Sequence, residues 1–409
     1  MSGRVVWVLA AGLWACQPAE RDTSEVSLDD EERELFMRLG PLPPVPPSPT
    51  NAVADDPGAQ ALGQRLFFDR RMSADGEVSC ATCHEGDQAL SDPDPLSEGV
   101  FGRRGDRHAS TLVNAAYNRF QFWDGRADSL WAQPIQAFEN ELEGDFTRGE
   151  VVHFLAANYR AEYEELFGPL PDLAQVPARA KPGDDAWEAL TPEQQLEINR
   201  VAANVGKAIE AHVRRLVSRG SALDAWIEGD PQALSPAQLR GARIFVREDL
   251  GRCVNCHDGP NLTDDTFHNL GLHQPQGELD RGRVVGAQAL LDDPFNGIGP
   301  FSDDVEAGQQ GLRGVSALER HEGAFKTSTL RDVTLHPPYG HDGSVPTLRE
   351  WIVLHGEGFE VDGGSRFAGE REGTIRPFAL GEQDVDDLLA FLEALEGEPM
   401  AAELLQPPV

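Results

Sequence analysis

Residues 78–87 read VSCATCHEGD: two cysteines three apart, with a histidine directly after the second. A thiol pair beside an imidazole can be a redox couple, half of a zinc site, or an attachment point for c-type haem. The chain contains the pattern twice, because residues 253–257 read CVNCH. The likeness extends upstream. LGQRLFFDRRMSADGEVSCATCHEG (62–86) is echoed by RGARIFVREDLGRCVNCHDGPNL (240–262), each a short helical pattern running into C-x-x-C-H. A repeat of this kind implies two domains of one type, with a boundary placed near Arg219 and Gly220.

The cysteines are Cys16, Cys80, Cys83, Cys253 and Cys256, so all but the first lie inside C-x-x-C-H. A disulfide framework has no need of a histidine after each pair. A thioredoxin-like pair requires a preceding strand. A four-cysteine zinc site is the competing reading, and its spacing is permitted. With only 11 histidines in the chain, however, one after each pair favours haem. The thiols clamp the porphyrin, and the imidazoles of His84 and His257 reach the irons. The second axial face then decides function. Methionine is the common ligand there in electron carriers, but the chain has only Met1, Met37, Met72 and Met400. None lies between Cys253 and the last helical pattern, so the second haem must use another ligand or stay open.

The 409 residues are 40% hydrophobic, enough for a sizeable core in two or three domains. The net charge of −34, from 69 acids against 35 bases, excludes a nucleic-acid partner. It fits a solvated surface, and secondarily the steering of a basic redox partner. Residues 1–16 read as an export signal: Arg4, then the short apolar run Val5–Ala15. Leu13-Trp14-Ala15-Cys16 resembles a lipobox, although Trp14 replaces a smaller residue; it makes Cys16 the expected lipid anchor of an exported, periplasmic protein. Residues 17–55, including PLPPVPPSPT at 41–50, read as a proline-rich tether. Domains are expected at 56–218 and 219–400, with a tail at 401–409. Helices are expected at 61–68, 126–138, 192–218, 236–246, 348–354 and 384–395, giving a mostly α fold. In the last, Val385, Leu388, Leu389, Leu392 and Leu395 form one stripe.

These residues together resemble the bacterial di-haem cytochrome c peroxidases and related MauG-type enzymes. The likeness runs from about Ala61 to Leu395. Beyond the two repeats it rests on STLVNAAYNRFQFWDGRADSL and GAFKTSTLRDVTLHPPYGHDGSVPTL. It implies two cytochrome-c-like domains, each with a covalent haem, the N-terminal one peroxidatic and the C-terminal one an electron relay. It further implies that Trp123 lies between the haems and that Gln133 and Glu143 sit over the peroxidatic one. On sequence alone Glu139 and Glu141 compete with Glu143 for that register. The family's gating histidine falls on Val100, which cannot bind iron, so an open N-terminal haem is expected. The distal ligand of the second haem falls on His355, fourteen residues after His341, implying His257/His355 ligation. The family's calcium site falls on His108, His336 and Pro338. Imidazole suits calcium poorly, so calcium is doubtful here, and His108 and His336 are expected to face each other or to hold a softer metal.

The expected activity is reduction of hydrogen peroxide with electrons from a small donor protein, a cytochrome c or cupredoxin. The alternatives are a MauG-type oxidase acting on a partner protein, and a non-catalytic electron carrier or haem sensor. The sequence is silent on oligomeric state.

Overall fold

In the computed structural model, which describes residues 28–360 and 364–408, the two halves of the repeat fold alike. Pro57–Phe68 is a helix capped by Asp56, whose carboxylate accepts from the Gly58 and Ala59 amides. Pro57 opens its first turn, where a missing N–H costs nothing. Pro236–Val246 is capped by Ser235, with Gln238 completing a capping box. Each of these helices crosses a later helix of its own half: Pro57–Phe68 packs on Pro192–Val213, and Pro236–Val246 on Glu382–Glu393.

The crossing point is a glycine in both halves, and it is the same position of the repeat. A Cβ on Gly63 would stand 1.7 Å from the Ala208 carbonyl oxygen, and one on Gly241 would stand 2.0 Å from that of Asp387. The repeat therefore encodes a close helix crossing as well as the C-x-x-C-H turn that follows it. Leu62, Leu66, Phe67, Trp131, Ile135, Val205 and Ile209 centre the first core. Phe245, Leu348, Ile352, Leu388, Phe391 and Leu392 centre the second. The paired strands among the described residues are a short antiparallel couple, Phe267–His268 with Phe325–Lys326.

Several sequence expectations are corrected. Residues 28–55 are not a free tether. Asp30–Met37 is a helix whose Phe36 is fully buried in the second core, 4.9 Å from the Trp226 ring and 5.8 Å from that of Phe391. The proline-rich stretch then crosses to the first domain. There the Tyr117 hydroxyl donates to the Pro43 carbonyl at 2.8 Å, Trp131 Nε1 to Thr50 Oγ1 at 3.0 Å, and Asn51 Nδ2 to the Lys207 carbonyl at 3.0 Å. The segment is a strap across both domains, held by a few apolar anchors and by backbone carbonyls that proline leaves available. Residues 401–408 are likewise not a loose tail. Gln64 Nε2 donates to the carbonyls of Glu403 and Gln406, and Leu404 and Leu405 pack on the first core.

The helix expected at 126–138 spans only Gln133–Glu139. Pro134 sits inside the expected span, where it would break a helix, and instead lies in the first turn of the observed one. The helix begun at Pro192 ends at Val213, short of Ser218. The signal peptide and Cys16 lie outside the described residues.

Candidate functional site

Each C-x-x-C-H forms one tight turn. The Cys80–Cys83 turn is fixed by the Ser79 amide donating to Thr82 Oγ1 at 3.0 Å, and the His84 amide returns to the Cys80 carbonyl at 3.0 Å. At the second, Cys253–Asn255, the His257 amide donates to the Cys253 carbonyl at 2.9 Å. The loop after each turn sends a leucine carbonyl back to the ring. His84 Nδ1 donates to Leu90 O and His257 Nδ1 to Leu262 O, both at 3.0 Å. Leu90 and Leu262 both adopt left-handed backbone, φ 56 and 52, a conformation held by its surroundings at functional sites. With the proton on Nδ1, each imidazole presents Nε2 as a free donor to a metal.

Cys80, Cys83, Cys253 and Cys256 form no disulfide among the described residues. Burial pushes the thiols of Cys80, Cys83 and Cys253 up to about 12. The four cysteines line two different cavities. Cys80, Cys83 and His84 line one of about 1170 Å³; Cys253, Cys256 and His257 line the other, of about 260 Å³. A shared four-cysteine zinc site is therefore not formed. Among the described residues the one close group of three metal-ligating side chains is Cys256, Asp264 and His268. His268 is already engaged, by Asp264 at 2.8 Å and Glu372 at 2.5 Å.

The two cavities meet, and Trp123, Lys326, Ser328 and His341 line both. Trp123 is pinned there by its Nε1, which donates to the His108 carbonyl at 2.8 Å.

Gln133 and Glu143 both line the N-terminal cavity, as do Phe138 and Asn140. The structure separates Glu143 from its rivals in sequence. Glu139 is paired with Arg148 at 2.8 Å, and Glu141 with Lys181 at 3.1 Å, and neither lines the cavity. Among the described residues Glu143 has no cationic partner within 4.0 Å. Its Oε1 accepts from Asn140 Nδ2 at 2.6 Å, and burial raises its pKa despite the more distant Arg126. Val100 is wholly buried beside it, its amide donating to the Glu143 carbonyl at 2.9 Å, and it does not line the cavity.

The C-terminal cavity is lined by His355 and by no methionine. His355 ends the helix Leu348–Gly356. Its Nδ1 donates to the Trp351 carbonyl at 2.8 Å, which leaves Nε2 free, and its ring is held edge-on by Trp351 and Phe359. Burial lowers the pKa of His257 to about 4, with smaller lowering from His355 and His268. His336 also lines this cavity, but its Nε2 is fully enclosed, and His108 is the histidine within its electrostatic reach. Both ring nitrogens of His108 are engaged, with Ser91 Oγ at 3.2 Å and the Asp94 carbonyl at 3.2 Å. No third ligating side chain joins this pair among the described residues, so the geometry does not support a softer metal between His108 and His336.

Sequence reading missed Asn140, which holds the acid, and Lys326, which lines both cavities. Lys326 stands inside the block GAFKTSTLRDVTLHPPYGHDGSVPTL and Asn140 outside the quoted blocks; in both cases only the tertiary placement shows that the residue reaches the site.

Two C-x-x-C-H turns, each offering an imidazole Nε2 to its own cavity, define a two-haem cytochrome of the c type. A family model described as di-haem cytochrome c peroxidase matches residues 57–232. The chain is 30% identical to a cytochrome-c peroxidase, IdrP1, of Denitromonas iodatirespirans, over 88% of this chain and 86% of that protein. It is 29% identical to the methylamine utilization protein MauG of Methylophilus methylotrophus, over 89% of each. The fold is shared with a crystal structure of a MauG-like protein associated with microbial copper homeostasis, at a TM-score of 0.64, 24% identity, and coverage of 90% and 98%. The chain belongs to the di-haem cytochrome c peroxidase family, and is an oxidoreductase of that type with two c-type haems as its cofactors.

Proposed function

We propose that this protein reduces hydrogen peroxide to water at its N-terminal haem site, with electrons delivered through the C-terminal one. The observation that carries the reading is Glu143: a half-buried acid of raised pKa, held by an amide rather than a cation, in the lining of the wider cavity. The haems, joined through Cys80 and Cys83 and through Cys253 and Cys256, supply the redox equivalents when bound, with His84 and His257 as axial ligands. The chain supplies placement and protons. Reduction of one peroxide to two waters consumes two electrons and two protons. A carboxylate poised above its ordinary pKa can accept the proton of one peroxide oxygen and deliver it to the other. Gln133, in the same lining, orients the oxidant or its water. Position 100 supplies no blocking ligand, and both ring nitrogens of His108, which also lines this cavity, are engaged; these favour a site open at rest. His355 closes the other haem as a second imidazole, and Trp123 couples the two cavities. The donor is a small redox protein, a cytochrome c or cupredoxin. Export and lipid anchoring at Cys16 accompany this reading.

Steady-state peroxide consumption with a reduced small cytochrome tests it. Consumption that follows the donor supports the peroxidase. A protein that reacts with peroxide but oxidises a partner protein, leaving the cytochrome unused, is of MauG type. No consumption leaves electron transfer or sensing.

A further inference from the structure

We propose that Lys326 is the counter-charge for a haem propionate at the junction of the two cavities. Lys326 ends the short strand Phe325–Lys326, and its backbone amide donates to the Trp123 carbonyl at 2.7 Å. It lines both cavities, and among the described residues that do so it is the one lysine or arginine. Among the described residues no side-chain hydrogen bond and no carboxylate within 4.0 Å meets its ammonium group, and Asp265 and Asp264 act on it only from farther away. Of the acids that act on it, Asp264 is engaged by His268 at 2.8 Å, and Asp265 accepts one bond from the Arg119 amide at 3.3 Å and faces Lys326 without an ion pair within 4.0 Å.

Arg107 makes the contrast. It also lines the N-terminal cavity, but it is neutralised by Asp280 at 2.7 and 2.9 Å and by Asp124 at 2.6 Å. Burial without a partner is costly for an ammonium and drives it towards the neutral amine. An anion delivered into the junction removes that cost. The haem periphery has one kind of anionic group, the propionate carboxylate, so the ligand class follows from the cofactor's own chemistry. The pairing fixes a haem edge beside Trp123, and its positive charge favours the ferrous state of that haem.

The inference rests on the presence of two haems, which a pyridine haemochrome count checks separately. Lys326→Met removes the charge at similar length, and Lys326→Arg restores it. Redox titration of the purified two-haem proteins should show one haem of the Met variant shifted towards ferric. The shift should be on the order of tenfold in ferric/ferrous ratio, or about 59 mV for a one-electron couple. The Arg variant should titrate like the wild type. Unchanged potentials in a two-haem Met variant overturn the proposal, as does an equal shift in both variants. Should the Met variant fail to load haem, the wild type decides. Redox-difference infrared spectra of protein labelled with 15N at lysine Nζ should contain an isotope-sensitive ammonium band, and its absence overturns the proposal.

Discussion

Glu143→Gln is the sharpest test of how the N-terminal site works. The substitution keeps length and shape, and the new amide oxygen can still accept from Asn140 Nδ2, which now stands 2.6 Å from Glu143 Oε1. What it removes is the titratable group. Three other acids of this cavity are already held by arginines. Asp124 is held by Arg107 at 2.6 Å and by Arg126 at 3.2 Å. Asp69 and Asp280 each carry an arginine partner that holds the carboxyl below its usual range, against the effect of burial. Loss of a positioned acid–base without a substitute costs about 10²- to 10⁴-fold, or about 2.7–5.5 kcal/mol of transition-state stabilisation. The assay is kcat/KM for peroxide with a reduced cytochrome, on protein with unchanged haem content. As a base, Glu143 must be ionised, so wild-type kcat/KM should rise as pH passes a value above the ordinary 4.5. That limb should vanish in the variant. A variant within threefold of wild type, or one that keeps the limb, would refute the role.

Three further outcomes follow from the fold. Gly63→Ala and Gly241→Ala place a methyl against the Ala208 and Asp387 carbonyls, at 1.7 and 2.0 Å before relaxation. Each should lose 1–3 kcal/mol or more, roughly, in denaturant titration; a neutral result would contradict the helix crossings. Phe36→Ala empties a fully buried ring site in the strap and should cost about 3–5 kcal/mol, whereas a free tether would show no change in melting. His212 is buried with neither ring nitrogen partnered, and burial lowers its pKa to about 4. The unfolded chain takes up this proton near 6.5, so stability should fall as pH drops from about 6.5 to about 4, by on the order of 3 kcal/mol. Replacement by Phe, which matches the neighbouring Phe67 and Phe68 rings, should flatten that slope in melts taken across this range.

Much of the chemistry was readable because it is local. C-x-x-C-H places two thiols and an imidazole on one turn, and its repetition announced two like domains. The glycine shared by both repeats was visible too, but its purpose depends on carbonyls more than a hundred residues away. Glu143 could not be separated from Glu139 and Glu141 in an acidic run. Arg148 and Lys181 make that separation, and both arrive from outside the motif. The strap was misread because proline and charge dominate its composition, while Leu28, Phe36 and Leu39, few and scattered, bury it. The expected 126–138 helix counted apolar spacing and overlooked Pro134.

The central claim is that the two haem sites differ: one open beside Glu143, the other closed by His355. Electron paramagnetic resonance of the oxidised protein reads both sites at once. The account predicts one high-spin ferric signal and one low-spin bis-imidazole signal, the latter lost in His355→Ala. Two low-spin signals in the wild type, or a low-spin signal that survives loss of His355, would contradict it.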